Sequence, residues 1–378
     1  MPLQDGEAEQ FQRLAATVVP AERLVKAIGR TRQGARVIET LAGAGRSCPA
    51  LRDDQLCAIH AVHGEASKPK VCRIFPFTFV ATPTAVRVGL SYACPAVVDG
   101  EGTPLDEQRA EMDALFAGAV DGTGYLLRVG DEVPLSDRVR LSWPHAEALI
   151  AELAASFRSD GTLLERVCRA GAICALLDDE LGDGAAFAAA LDTARAGTAE
   201  LVAEVLTGPP EVDRLSRALF RTLLRSTEQH SAAGRMANLF SSVFGGGNVQ
   251  LPGGGEVAWR DAEAVEPGLG PDGEALLARW FAGALEACAF FGEPAFDLSL
   301  TGGLGLLVLS ASVCAFLARA HAAHESRASV SYEDVKRGLR QVDAGITHRG
   351  NMPRLFGRAI ASTASVDLLR TQLERRAG

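Results

Sequence analysis

The run Leu298-Ser-Leu-Thr-Gly-Gly-Leu-Gly-Leu-Leu-Val-Leu-Ser-Ala-Ser-Val-Cys-Ala-Phe-Leu-Ala318 carries no charged residue and is just long enough to cross a bilayer. Its reading decides between a membrane protein and a globular helical one. Ser299, Thr301, Gly302, Gly303, Gly305, Ser310 and Ser312 dilute its apolar content, and no aromatic belt flanks it. The expectation is a buried central helix and no membrane span.

Working outward, the surrounding sequence is Ala- and Leu-rich with helical periodicity from about residue 100 onward, after the turn signal Asp99-Gly-Glu-Gly102. Ser142-Trp-Pro144 reads as a helix start, with Ser as N-cap, for a helix carrying Ala148, Leu149, Ile150 and Leu153. Further helices are predicted over about 161–178, 184–206, 211–243, 273–291, 300–323, 331–345 and 352–375. Two stretches interrupt them, a strand-like patch at Tyr125-Leu-Leu-Arg-Val129 and the glycine-rich segment 245–255. Neither glycine cluster fits GxGxxG or GxxxxGK[ST] and no βαβ unit surrounds them, so a connection or hairpin is expected there.

The 378 residues are 47% hydrophobic, enough to bury a substantial core and to divide into about two domains. A net charge of -9 argues against general nucleic-acid binding, which needs clustered Lys and Arg. The opening Met1-Pro-Leu-Gln-Asp-Gly-Glu lacks the basic and apolar parts of a secretory signal, so a cytoplasmic location is expected. In that reducing setting the eight cysteines read as thiols or metal ligands, not as disulfides. Cys168, Cys174, Cys288 and Cys314 lie singly in apolar helical patterns and read as buried small hydrophobes.

The other four are concentrated in the first hundred residues. They occur as Cys48-Pro-Ala-Leu-Arg-Asp-Asp-Gln-Leu-Cys57-Ala-Ile-His60, then Cys72-Arg-Ile-Phe-Pro76-Phe, then Tyr92-Ala-Cys94-Pro95. Before them, residues 7–44 hold two helix-like stretches, one with Phe11, Leu14, Val18 and Val19, the other with Val37, Ile38 and Leu41. Between Cys72 and Cys94, two β-rich runs flank Thr82-Pro83-Thr84 and predict a hairpin that would bring these two cysteines to the same end. Four thiolates suit a tetrahedral zinc site or a 4Fe-4S cluster, and wide single-Cys spacing, without CxxC knuckles, leans toward the cluster or an irregular site. His60 and His63 are candidate substitute ligands. Arg73, beside Cys72, is a candidate cofactor contact, because a guanidinium offsets thiolate charge and donates in a fixed fork.

The pattern CPxLxxxxLCxIHxxxGxxxxPxxCRxFPF, followed by a β-rich stretch and a final Cys-Pro, resembles the cysteine-cluster proteins that chelate zinc or iron, and within them the flagellin lysine N-methylases. A weaker likeness covers Tyr332-Glu-Asp-Val and Val342-Asp-Ala-Gly-Ile-Thr-His348-Arg-Gly-Asn351. The resemblance implies a metal centre held by Cys48, Cys57, Cys72 and Cys94. For the methylase branch it implies S-adenosylmethionine and a protein substrate offering flagellin-like lysine side chains. Tyr92, His348 and Asn351 are the candidate pocket residues for that transfer, although the sequence identifies no carboxylate or tyrosine array for it. The family opens with a CxxCxxCC-like group, whereas no Cys precedes Cys48 here. The expectation is that the group lies upstream in the gene or has been lost.

The expected architecture is mainly α: a small, irregular cysteine-cluster domain with a β-hairpin over 1–99, then a helical domain over 100–378. Three functions stay open: a metal-binding cysteine-cluster protein with zinc or an iron-sulfur cluster, a protein lysine N-methyltransferase, and a helical interaction protein with a vestigial site.

Overall fold

In the computed structural model, residues Leu300–His324 form one continuous helix. The residues described are 3–24, 27–30, 34–38, 48–54, 56–212, 214–227, 247–251, 255–347 and 364–374. Ser299 starts this helix by accepting the Gly302 N–H at 3.1 Å. It has no polar face because neighbours cover it on all sides: 89% of its most apolar stretch is buried. The covering elements include Trp259–Ala264, Tyr332–Thr347 and Ala364–Leu373. Ser310 and Ser312 are fully buried and donate to Leu306 O at 2.6 Å and Val308 O at 3.0 Å, so their hydroxyls are satisfied within the helix. The small residues also serve close approach. A Cβ on Gly303 would lie 1.7 Å from the Phe290 carbonyl oxygen, and one on Gly338 would lie 2.8 Å from that of Cys314.

The fold is mainly helical, with short strands, and divides into two units. The smaller comprises Met1–Phe77, Thr103–Leu126 and Pro252–Gly255, and the larger comprises Thr78–Gly102, Leu127–Leu251 and Glu256–Gly378.

The larger unit is built around the central helix. Trp143–Arg158 starts where the sequence signals, with Ser142 at the N-cap and Pro144 in the first turn, though the Ser142 hydroxyl makes no capping bond. Leu163–Gly182 opens with a capping box in which Thr162 and Glu165 satisfy each other's backbone N–H groups. With Phe187–Thr207 and Gly270–Glu286 these helices enclose a core in which Phe157 stacks on Phe281 at 4.4 Å. Strands Phe77–Ala81 and Val86–Leu90 form the expected hairpin, closed where Thr82 N–H donates to Ala85 O at 2.8 Å. The strand-like patch forms Leu126–Arg128 and pairs on the other side of Phe77–Ala81. In the glycine-rich segment, Asn248–Gln250 pairs antiparallel with Glu256–Ala258, as a hairpin reading requires.

In the smaller unit, Glu7–Ala15 is amphipathic and buries Ala8, Phe11 and Ala15. The second predicted helix does not form where it is described. Val37 and Ile38 belong to strand Arg36–Ile38, paired antiparallel with Ile28–Arg30, and Leu41 lies outside the described residues. Two adjacent β-branched residues fit a pleated pair better than a helix, and Gly34 at φ 88° supplies the left-handed turn. A small core gathers Phe11, Ala15, Val19, Ala27, Ala50, Ala58 and Ile59, with Cys48 and Cys57 packed at its margin.

Candidate metal-thiolate site

The segment 48–58 is a closed loop. Leu51 N–H donates to Cys48 O at 3.0 Å, Arg52 N–H to Leu56 O at 2.9 Å, and Ala58 N–H to Ala50 O at 2.8 Å, with Leu51 bridged to Cys57. Asp54 sets the turn by accepting the Leu56 N–H at 3.1 Å. These bonds bring the ends of the loop together. Cys48 and Cys57 both pack against the small core, and Cys57 is the residue that starts helix Ala58–His63.

Cys72 lies in the one-turn helix Lys70–Ile74, whose start is fixed from a distant part of the chain. The Glu7 carboxylate accepts the Lys70 N–H at 2.6 Å and the Gln4 N–H at 2.7 Å. This places Cys72 close enough to Cys48 and Cys57 for the three thiols to interact electrostatically. All three are half-buried and none is in a disulfide. The Cys72 thiol is pushed up to about 12, chiefly by burial, with Cys48, Cys57 and Glu7 contributing to the rise and Lys68 opposing it. Cys48 is also raised, first by burial and then by Cys57, against the Ala50 N–H and Arg23. Arg23 is anchored beside the loop, its guanidinium donating to Leu51 O at 2.7 Å.

Arg73 has a buried Nε with no hydrogen-bond partner. Arg87, Arg166 and Arg319 share an unpartnered Nε, but each anchors its guanidinium elsewhere, on Glu147, Phe157 O, and Gln372 with Glu263 O respectively. Arg73 has no such anchor among the described residues. Its guanidinium lies against Gly118, where a Cβ would come within 3.4 Å of Nη2. The tyrosine near Cys72 is Tyr125, buried and hydrogen-bonded with Gln4.

The remaining candidates are dispersed. His60 is exposed, and the His63 Nε2 pairs with the Thr17 hydroxyl at 2.8 Å. Cys94 is half-buried, belongs to the larger unit and starts the Pro95–Asp99 helix. Tyr92, also in the larger unit, is buried beneath the Arg279 guanidinium, 5.9 Å from its ring centre, and its phenol is raised chiefly by burial. His348 and Asn351 lie outside the described residues. Sequence reasoning missed Glu7, Arg23 and Lys68 around the thiols. Of these only the basic Lys68-Pro69-Lys70 run ahead of Cys72 offers a local signal.

The donor chemistry suits a thiophilic ion: three thiols within electrostatic reach of one another, with the cations Arg23 and Lys68 acting on them. Among the described residues, however, no three His, Cys, Asp or Glu side chains converge closely enough to hold a metal ion. No family model matches the chain, and no curated protein or solved structure does so either.

Proposed function

We propose that the smaller unit is a metal-thiolate module in which Cys48, Cys57 and Cys72 hold zinc or contribute to an iron-sulfur cluster. Cys94 is the fourth sulfur of the set, a place it holds on sequence grounds alone. The reading is carried by the approach of three half-buried thiols in one small unit, supplied by a closed loop and a separately anchored helical turn. Cys48 and Cys57 both add to the rise of the Cys72 thiol, and Cys57 to that of Cys48, so the three would repel as thiolates, and a bound cation removes that repulsion. Binding also requires the sulfurs to draw together, because they do not already converge.

When bound, such a centre would cross-link the loop and the helical turn, adding its binding free energy to the stability of the fold. This chain's own contribution is to hold the thiols near one another and to set Arg23 and Lys68 where they offset the negative charge of a thiolate complex, with Arg73 next to Cys72 in the sequence as a further candidate. The likeness to zinc- and iron-chelating cysteine-cluster proteins supports the same reading. Anaerobic purification with zinc, iron and sulfide analysis tests it. About one zinc, or iron and sulfide in cluster ratio, per chain is expected. Less than about a tenth of an equivalent of any metal after reconstitution removes the reading. Calorimetry of the metal-loaded protein with S-adenosylmethionine tests the methylase branch of that likeness, and no heat of binding removes that branch.

A further inference from the structure

The larger unit contains a buried carboxylate that the proposed site does not yet use. Asp343, in helix Tyr332–Thr347, is 7% exposed. It accepts the Ser91 hydroxyl at 2.6 Å, the Ala93 N–H at 3.1 Å and the Trp280 indole N–H at 3.4 Å, and it also accepts from the Tyr92 backbone. The Ser91 hydroxyl in turn accepts the Ala93 N–H at 3.3 Å. One side chain thus gathers the donors of three consecutive residues, Ser91 to Ala93, from a position 250 residues away along the chain.

That loop leads directly into Cys94. The Cys94 N–H donates to Ser91 O at 3.2 Å, and the Cys94 carbonyl accepts the Val98 N–H at 3.2 Å as the Pro95–Asp99 helix begins. Both sides of the Cys94 backbone are therefore fixed, upstream by the loop that Asp343 holds and downstream by the helix. Burying a carboxylate is costly unless donors compensate it, and those named here are neutral groups of the loop and one indole. An apolar residue at 343 would leave the Ser91–Ala93 donors unsatisfied.

We infer that Asp343 is a positioning residue for Cys94, fixing the backbone that carries this thiol. The role in ligation rests on the proposed metal reading; the positioning itself does not. The test is residue-resolved alkylation of the full-length, metal-free, reduced chain with iodoacetamide, followed by peptide mass spectrometry. It compares wild type with Asp343→Asn, Asp343→Leu and Ser91→Ala, each below its melting onset.

In Asp343→Leu, Cys94 labelling is expected to change by about fivefold or more, with Cys48, Cys57 and Cys72 within about twofold of wild type. Asp343→Asn, which keeps an acceptor oxygen, is expected to restore most of the wild-type rate. Should Asp343→Leu fail to fold, Ser91→Ala decides, with a change of about twofold confined to Cys94 expected. A wild-type Cys94 rate in the folded variants, or an equal change at every cysteine, overturns the inference. Zinc titration of the same proteins separates it from the metal reading. A loss of affinity of about tenfold in Asp343→Leu supports both. Unchanged affinity with altered Cys94 labelling removes Cys94 from the ligand set and leaves the positioning role standing.

Discussion

The cysteines of this chain occupy two contrasting settings. Cys48, Cys57 and Cys72 are half-buried and surrounded by one another, by cations and by the Glu7 carboxylate. Cys168, Cys174, Cys288 and Cys314 are buried in the larger unit, where burial is the leading cause of every raised thiol pKa. Among the described residues burial is what raises Cys314, and its weak donor meets Val335 O at 3.7 Å. The same side chain is thus a packing element in one region and a candidate ligand in the other. Its neighbours make the difference, because raised pKa values occur in both settings.

The strongest test of this contrast is Cys72→Ser, which is expected to abolish metal retention while leaving the metal-free melting temperature nearly unchanged. Metal analysis and calorimetry of one preparation check it, and retained metal would erase the distinction between the two sets. The pH dependence of loading belongs with it. Thiols raised by burial must lose protons to bind, so apparent zinc affinity should rise roughly tenfold per pH unit for each proton released between pH 6 and 8.

Next in size is acid sensitivity in the larger unit. His321 lies on the central helix, 7% exposed, with its Nε2 unpartnered. Burial, helped by Arg337 and His324 and opposed by Asp334 and Glu325, lowers it to about 4. Because the unfolded chain binds this proton near pH 6.5 and the folded one only near 4, stability is intact above 6.5 and is lost as pH falls across that interval. The loss is at most about 3 kcal/mol. Denaturant unfolding of wild type and His321→Gln between pH 4 and 7 checks this, and equal slopes would show that other groups control the response.

Cys314→Ser is expected to cost about 1–3 kcal/mol by placing a hydroxyl in an apolar setting, without changing metal content. A thermal melt with metal analysis checks both halves. The smallest effect belongs to Arg73→Gln, which removes the cation that follows Cys72 in the sequence. Zinc affinity should fall about tenfold, while stability should hold or gain up to about 1 kcal/mol as an unsatisfied donor disappears.

What the sequence made legible divides along local and distant lines. The central helix, the 77–90 hairpin and the start of Trp143–Arg158 each announce themselves within a few residues, through periodicity, a turn proline or a cap position. The Arg36–Ile38 strand was misread because three residues are too short a sample to separate a period of two from one of 3.6. The cysteines were found by residue type, but their surroundings were not. Glu7 reaches Lys70 across 63 positions and Asp343 reaches Ser91 across 252, and neither pairing leaves a local trace. Gly303 shows the same limit: it read as a dilution of hydrophobicity, whereas in the fold it is the place where a backbone carbonyl presses against the helix.

The smaller unit is discontinuous, since residues 78–102 belong to the larger one and Thr103–Leu126 return to it. On a ribosome this imposes an order of events. At about 5–20 residues per second, synthesis takes several seconds to proceed from Phe77 to Leu126. Throughout that interval Cys48, Cys57 and Cys72 have already been made, while Tyr125 and the Gly118 segment that packs against Arg73 have not. The three thiols are therefore made before the segment that completes their unit, so the smaller unit cannot close until at least the residues to Leu126 have been added.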